Sequence, residues 1–205
     1  MSVFDQRAES WDANPRRREL ARHVFETMTR LVAWDRSWRV LDAGAGTGLL
    51  TLAVASRVAH VTAVDTSPKM LEVLAAKAAG LPITTMLKPL EALGLPAVPF
   101  DAVVSSMALH HVTDTAAALA SFGRVLRPGG HLLLADLDRE DGTFHEDNTG
   151  VAHFGFDQTA LSAALSDAGF SDVSFVNAWN MPKTITDGTV RTFPIFCLHA
   201  RVPER

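Results

Sequence analysis

The chain has 205 residues, 47% hydrophobic and 20% charged, and a formal net charge of −4. That length suits one α/β domain with a sizeable core better than two. Lys and Arg form no long block, which argues against binding nucleic acid through a basic surface. Arg16, Arg17 and Arg18 are the one tight basic cluster and read as a solvated face of the first helix. No apolar run approaches the ~18 residues of a membrane span. The opening MSVFDQRAESWD lacks the layout of a signal peptide. A single cysteine, Cys197, permits no internal disulfide and reads as a small buried apolar residue. A cytoplasmic protein is expected.

Taken in order, Asn14-Pro15 opens a helix over about 16–33, in which Leu20, Val24, Met28, Leu31 and Val32 recur at helical spacing. A strand at 39–42, a helix at 49–57 and a strand at 60–65 follow. Ser67 as N-cap and Pro68 behind it open the next helix, to about 79. Strands are predicted at 83–87, 100–105 and 131–136, with a helix from the Thr113-Asp114 cap to about 126. After a polar stretch at 137–156 comes a helix at 157–168, then strands at 172–178 and 192–202 joined by a loop with Pro182 and Gly188. Strands alternating with helices argue for a doubly wound, Rossmann-like parallel sheet. The last two strands, with no helix between them, are expected to form an antiparallel hairpin at one edge.

The stretch VLDAGAGTGLL at 40–50 is a buried strand ending in an acid, a glycine turn and a helix start. Ligands of such sheets bind beyond the carboxyl ends of the strands, so Gly44, Gly46 and Gly48 stand where a nucleotide would lie. In a dinucleotide fingerprint a third glycine would take the place of Leu49. Asp42 decides the sign of the ligand. A carboxylate there repels each pyrophosphate charge by about 3 kcal/mol at ~5 Å and an effective dielectric near 20. It attracts the ammonium and sulfonium of S-adenosylmethionine. Asp65 ends the second strand about 20 residues past the turn, where a carboxylate accepts hydrogen bonds from ribose hydroxyls.

Four segments in order carry a resemblance: VLDAGAGTG at 40–48, AVDTSPKML at 63–71, FDAVVSSMALHHV at 100–112 and LRPGGHLLLAD at 126–136. At these residues the chain resembles the class I S-adenosylmethionine-dependent methyltransferases, in the small-molecule branch of the ubiquinone and menaquinone type. The resemblance implies a seven-stranded sheet, mostly parallel, with a reversed last strand. It divides the chain into an N-terminal helical lid (1–36), a cofactor-binding core (37–136) and an acceptor-side region (137–205). Asp42, Gly44, Gly46 and Gly48 would surround the methionine end of the cofactor, and Asp65 would bind ribose. Thr66 and Met70 would pack near adenine, Ser105 and Ser106 would receive the ammonium, and Trp11 would close over the site. The family's usual adenine-binding acid is replaced here by Pro89, which leaves the role to Glu91 or to backbone atoms.

Methyl transfer to a hydroxyl or carbon acid needs a base within reach. His145 and His153, on the loop between the fifth strand and the next helix, are the leading candidates for acceptor contact or general base. His110 of the His110-His111 pair is a third. No metal is expected, since His145, Glu146, Asp147 and His153 match no standard zinc spacing. The expected partner is a small-molecule acceptor, with the edge hairpin offering a surface for a homodimer. Two other functions stay open: S-adenosylmethionine binding without catalysis, and a dinucleotide-dependent oxidoreductase, which Asp42 and Leu49 disfavour.

Overall fold

In the computed structural model, which describes residues 2–204, every predicted strand and helix is present. The strands are β1 (Arg39–Ala43), β2 (His60–Asp65), β3 (Ile83–Leu87), β4 (Phe100–Ser106), β5 (Leu126–Leu137), β6 (Ser171–Thr184) and β7 (Val190–Arg201). They form one sheet in the order β3-β2-β1-β4-β5-β7-β6. The first five are parallel, and β7 runs antiparallel to both β5 and β6. The α/β expectation and the terminal hairpin therefore hold.

The helices are α1 (Val3–Arg7), α2 (Pro15–Leu31), α3 (Leu49–Ala55), α4 (Pro68–Lys77), α5 (Thr115–Val125) and α6 (Gln158–Asp167). Their starts follow local chemistry. Asn14 accepts from the Arg16 amide at 3.0 Å, and Ser67 from that of Met70 at 3.2 Å, each followed by Pro. Asp114 and Asp157 cap α5 and α6 in the same way.

Alternation along the strands divides the core between the two faces. Leu41 and Val103 pack with Leu119, Phe122, Leu161 and Leu165 of α5 and α6. Their neighbours Val40, Ala102 and Val104 pack with Val24, Met28, Leu50 and Val54 of α2 and α3. Cys197 is buried in β7, where desolvation pushes its thiol up to about 12, so it is packing and not a nucleophile. No helix among the described residues is long and apolar enough to cross a membrane.

The hairpin is longer than its sequence pattern suggests. Pro182, expected in the loop, lies inside β6 opposite Thr192. β6 is an edge strand, where a missing amide donor breaks no ladder on the free side. The Pro128-Gly129-Gly130 turn is likewise absorbed into β5, and the register with β4 shifts between Phe100 and Ala102.

Candidate active site

A cavity of about 350 Å³ opens at the carboxyl ends of β1, β2 and β4, bordered by Asp42, Asp65 and Ser106. The order of the sheet reverses between β1 and β4, which is where ligands enter such folds. Its volume lies within the ~300–1,000 Å³ of small-molecule pockets.

The glycine turn forms one wall. Gly44 (φ +78°) has a left-handed backbone, and a Cβ built on it meets the Ala108 Cβ at 2.2 Å. Gly46 (φ +53°) instead faces open space, so its missing side chain leaves room in the cavity. Gly48 is different. A Cβ there meets Leu74 at 2.1 Å, and the residue does not border the cavity. Its work is to let α3 pack on α4, which corrects the expectation of a ligand contact.

Asp42 is 1% exposed and accepts a hydrogen bond from the Thr51 hydroxyl at 2.6 Å. Burial pushes its carboxyl up to about 7; the Thr51 hydroxyl lowers it and Asp65 raises it further. The ionised Asp42 assumed from sequence is thus only partly charged near neutrality until a cation arrives. Asp65 accepts from the amides of Gly46 and Ser67, both at 2.8 Å. Burial raises its carboxyl too, and backbone amides pull it back.

The N-terminal segment closes over this wall. Asp5 accepts from the Ser67 hydroxyl at 2.6 Å, and Asp12 accepts from Thr47 and from Lys77, both at 2.5 Å. The Arg17 guanidinium stacks on the Trp11 ring at 3.6 Å from its centroid, and both border the cavity. Arg17 is the only Lys or Arg bordering it among the described residues. The solvated reading of the Arg16–Arg18 cluster fails for Arg17, because α2 turns it inward. Thr66, Met70, Glu91, Pro89 and Phe4 also border the space.

A family model described as "Methyltransferase domain" matches residues 41–134, the span holding Asp42, Asp65, Glu91 and Ser106. Over that span, just under half of the chain, it is similar to methyltransferase domains. An uncharacterised methyltransferase of Mycobacterium tuberculosis is 43% identical over 93 residues, 45% of this chain and 47% of that protein. The ubiquinone biosynthesis O-methyltransferase of Methylocella silvestris is 42% identical over 103 residues, 49% of this chain and 40% of that protein. The matched part thus spans less than half the length of these relatives. The phosphoethanolamine N-methyltransferase 2 of Haemonchus contortus, solved in complex with S-adenosyl-L-methionine, shares the fold at a TM-score of 0.72. It is 18% identical, over 88% of this chain and 52% of that one.

On the far side of the cavity the histidine expectations need correction. His153, a leading candidate, hydrogen-bonds the Val112 carbonyl at 2.9 Å through Nε2 and does not border the cavity. His110 is 1% exposed, with Nδ1 on the Asp136 carboxylate at 2.6 Å. It is His111 that faces the cavity, its Nδ1 on the Gly150 carbonyl at 2.8 Å. Residues 109–111 form a 3-10 turn, which points successive side chains about 120° apart. His145 lies behind this pair and not on the cavity wall, its ring centroid 5.1 Å from that of His110.

Ser105 also departs from expectation. It is buried and donates to the Ala43 carbonyl at 2.7 Å, tying β4 to β1, while Ser106 reaches the cavity. Successive strand residues face opposite sides, so only one of the pair can do so. Beyond them Met107, a cavity residue, has φ +55°, a strained conformation for a side-chain-bearing residue. Sequence reasoning missed Phe4, Arg17 and Met107 as cavity residues. It placed the His110-His111 pair at this end of the sheet but favoured the wrong member, since only His111 borders the cavity.

Proposed function

We propose that this protein transfers a methyl group from S-adenosylmethionine to a small-molecule acceptor, a phenolic hydroxyl of the ubiquinone type being the leading class. One observation carries the reading: Asp42 and Asp65 border one cavity at the strand ends, with Arg17 as its only Lys or Arg among the described residues. Two carboxylates and no anion-binding cluster suit a nucleoside bearing an ammonium and a sulfonium, and oppose a pyrophosphate. The names of the relatives support the same chemistry.

The residues fit the cofactor on geometry as well. Asp42, oriented by Thr51, is the group for the ammonium, and Arg17 the group for the carboxylate. Asp65 keeps lone pairs for ribose hydroxyls beside its two amide contacts. Thr66 and Met70 lie on the adenine side, with Glu91 taking the place of the acid displaced by Pro89. Phe4 and Trp11, on the closed N-terminal segment, exclude water.

S-adenosylmethionine supplies an already activated methyl group, so the protein's contribution is alignment and dryness. His111 meets the acceptor. Burial, more than the neighbouring His110, holds its imidazole down at about 4, so the ring is neutral with Nε2 unprotonated. The decisive experiment compares ligands: S-adenosylhomocysteine raises the melting temperature and NAD does not, and turnover with phenolic acceptors follows. Stabilisation by NAD alone removes the proposal, and binding without turnover on any acceptor leaves a non-catalytic binder.

A further inference from the structure

Behind the cavity wall three imidazoles meet, from a 3-10 turn and from a loop more than thirty residues later. The candidate ligand nitrogens of His110, His111 and His145 lie within 4.8 Å of one another, and this is the only such cluster among the described residues. It is not the set that the sequence offered, which was His145, Glu146, Asp147 and His153. We propose that His110, His111 and His145 form a binding site for a divalent transition ion of the zinc type, next to the acceptor end of the cavity.

The ring nitrogens that are already engaged support this. Metal-bound histidines almost always donate their second ring N–H to a carboxylate or carbonyl, which fixes the tautomer and the ring orientation. His110 does so to Asp136 at 2.6 Å, and the other Asp136 oxygen holds the His110 amide at 3.2 Å. His111 does so to the Gly150 carbonyl at 2.8 Å. A carbonyl only accepts, so Nδ1 of His111 holds the proton and Nε2 keeps its lone pair.

What is left over is equally informative. Nε2 of His110 and Nε2 of His145 are both buried without a hydrogen-bond partner. Buried polar atoms are rarely orphaned, and an ion that binds between them is one of the standard reasons. Three nitrogens around one ion at ~2.0–2.1 Å would stand about 3.4 Å apart, so the half-buried His145 has to turn inward.

Charge and ligand type narrow the ion. Asp136, fully buried, supplies a compensating negative charge behind His110. The opposing charge is Lys183, which donates to the Phe144 carbonyl beside His145. Three imidazoles without thiolate select Zn²⁺, Co²⁺ or Ni²⁺ over the oxygen-seeking Mg²⁺ and Ca²⁺. Three protein ligands also leave a fourth position open, as catalytic zinc sites do. Because His111 borders the cavity, that position is within reach of an acceptor oxygen. There the acceptor O–H would break, its oxygen bonding the ion and its proton passing to solvent. Only this use of the ion rests on the methyl-transfer reading.

The test is a titration of the chelator-treated full chain with Co²⁺, followed by visible d–d absorption and by competition with Zn²⁺. One equivalent is expected to bind and to be displaced by Zn²⁺. His145→Ala and His111→Ala should each weaken binding at least tenfold, while His23→Ala on α2 should not. Circular dichroism checks folding, and His145→Gln replaces any variant that fails it. No Co²⁺ uptake by the wild type, or uptake that ignores both histidine substitutions, overturns the site. The melting shift with S-adenosylhomocysteine, measured on the same samples without metal, reports separately on the cofactor reading.

Discussion

Asp12 and Lys77, 65 residues apart in the chain, form an ion pair at 2.5 Å, and the other Asp12 oxygen receives the Thr47 hydroxyl. The pair joins the N-terminal segment to α4, and the Thr47 bond joins it to the glycine turn. One carboxylate therefore latches the N-terminal segment to both sides of the cavity. Each partner is about a third exposed (31% and 30%), so the ion pair alone contributes at most ~1 kcal/mol.

Asp12→Ala is expected to raise the dissociation constant for S-adenosylhomocysteine about three- to tenfold, the ion pair and one charge-assisted bond being lost together. Most of the change should appear in the off-rate, measured by stopped-flow displacement. An unaltered off-rate would show that the segment does not gate release.

Asp42→Asn keeps the shape of the cavity floor and removes its charge. Binding of S-adenosylhomocysteine should fall at least tenfold, on the scale of ~1.5–3 kcal/mol for a hydrogen bond to a charged group. The pH dependence is the sharper test. Burial holds the Asp42 carboxyl up at about 7, and a bound ammonium favours its ionised form. Wild-type affinity should therefore rise as pH increases toward 7, by up to about tenfold per unit, and level off above it. The Asn variant should lack that rise in calorimetric titrations.

Arg17→Ala removes the guanidinium from the cavity and its stacking on Trp11. A loss of about tenfold in affinity for S-adenosylhomocysteine is expected, from a charge-assisted contact and a partly desolvated cation–π pair of ~1–2 kcal/mol. A ligand analogue lacking the carboxylate should lose much less. Equal losses for both would leave Arg17 a packing role only.

Glu91→Ala tests the replacement for the acid missing at Pro89. The dissociation constant should rise by roughly tenfold or more, matching one charge-assisted bond of ~1.5–3 kcal/mol. An unchanged titration would assign recognition of the base to backbone atoms.

Gly44→Ala should destabilise the protein even without ligand. Its Cβ would stand 2.2 Å from that of Ala108, on a residue with φ +78°. Left-handed strain and overpacking together cost about 2–5 kcal/mol, or roughly 5–15 °C of melting temperature at this chain length. A melting curve that overlays the wild type would refute the close approach.

The cavity wall formed by the strand ends and the glycine turn was legible in the order of residues; the opposite wall was not. Asp42, Asp65 and the glycine turn announce themselves because strand, turn and helix start are consecutive in the chain, and each has its own local chemistry. Ser106 and Ser105 were not separable, because either phase of a short apolar strand fits the same pattern. The hairpin strands were drawn short because Pro182 reads as a break, and only its place on an edge strand makes it tolerable.

By itself the sequence determined the alternation of strands and helices, the caps that start them and the acid-then-glycine turn at the end of the first strand. These depend on neighbours within a few residues, where periodicity and capping act. Tertiary structure alone decided that Arg17 turns inward, that His111 and not His153 borders the cavity, and that His145 returns to stand beside His110. Those outcomes depend on where a long loop and an N-terminal helix come back to the sheet. Long-range packing sets that return, and no spacing along the chain encodes it.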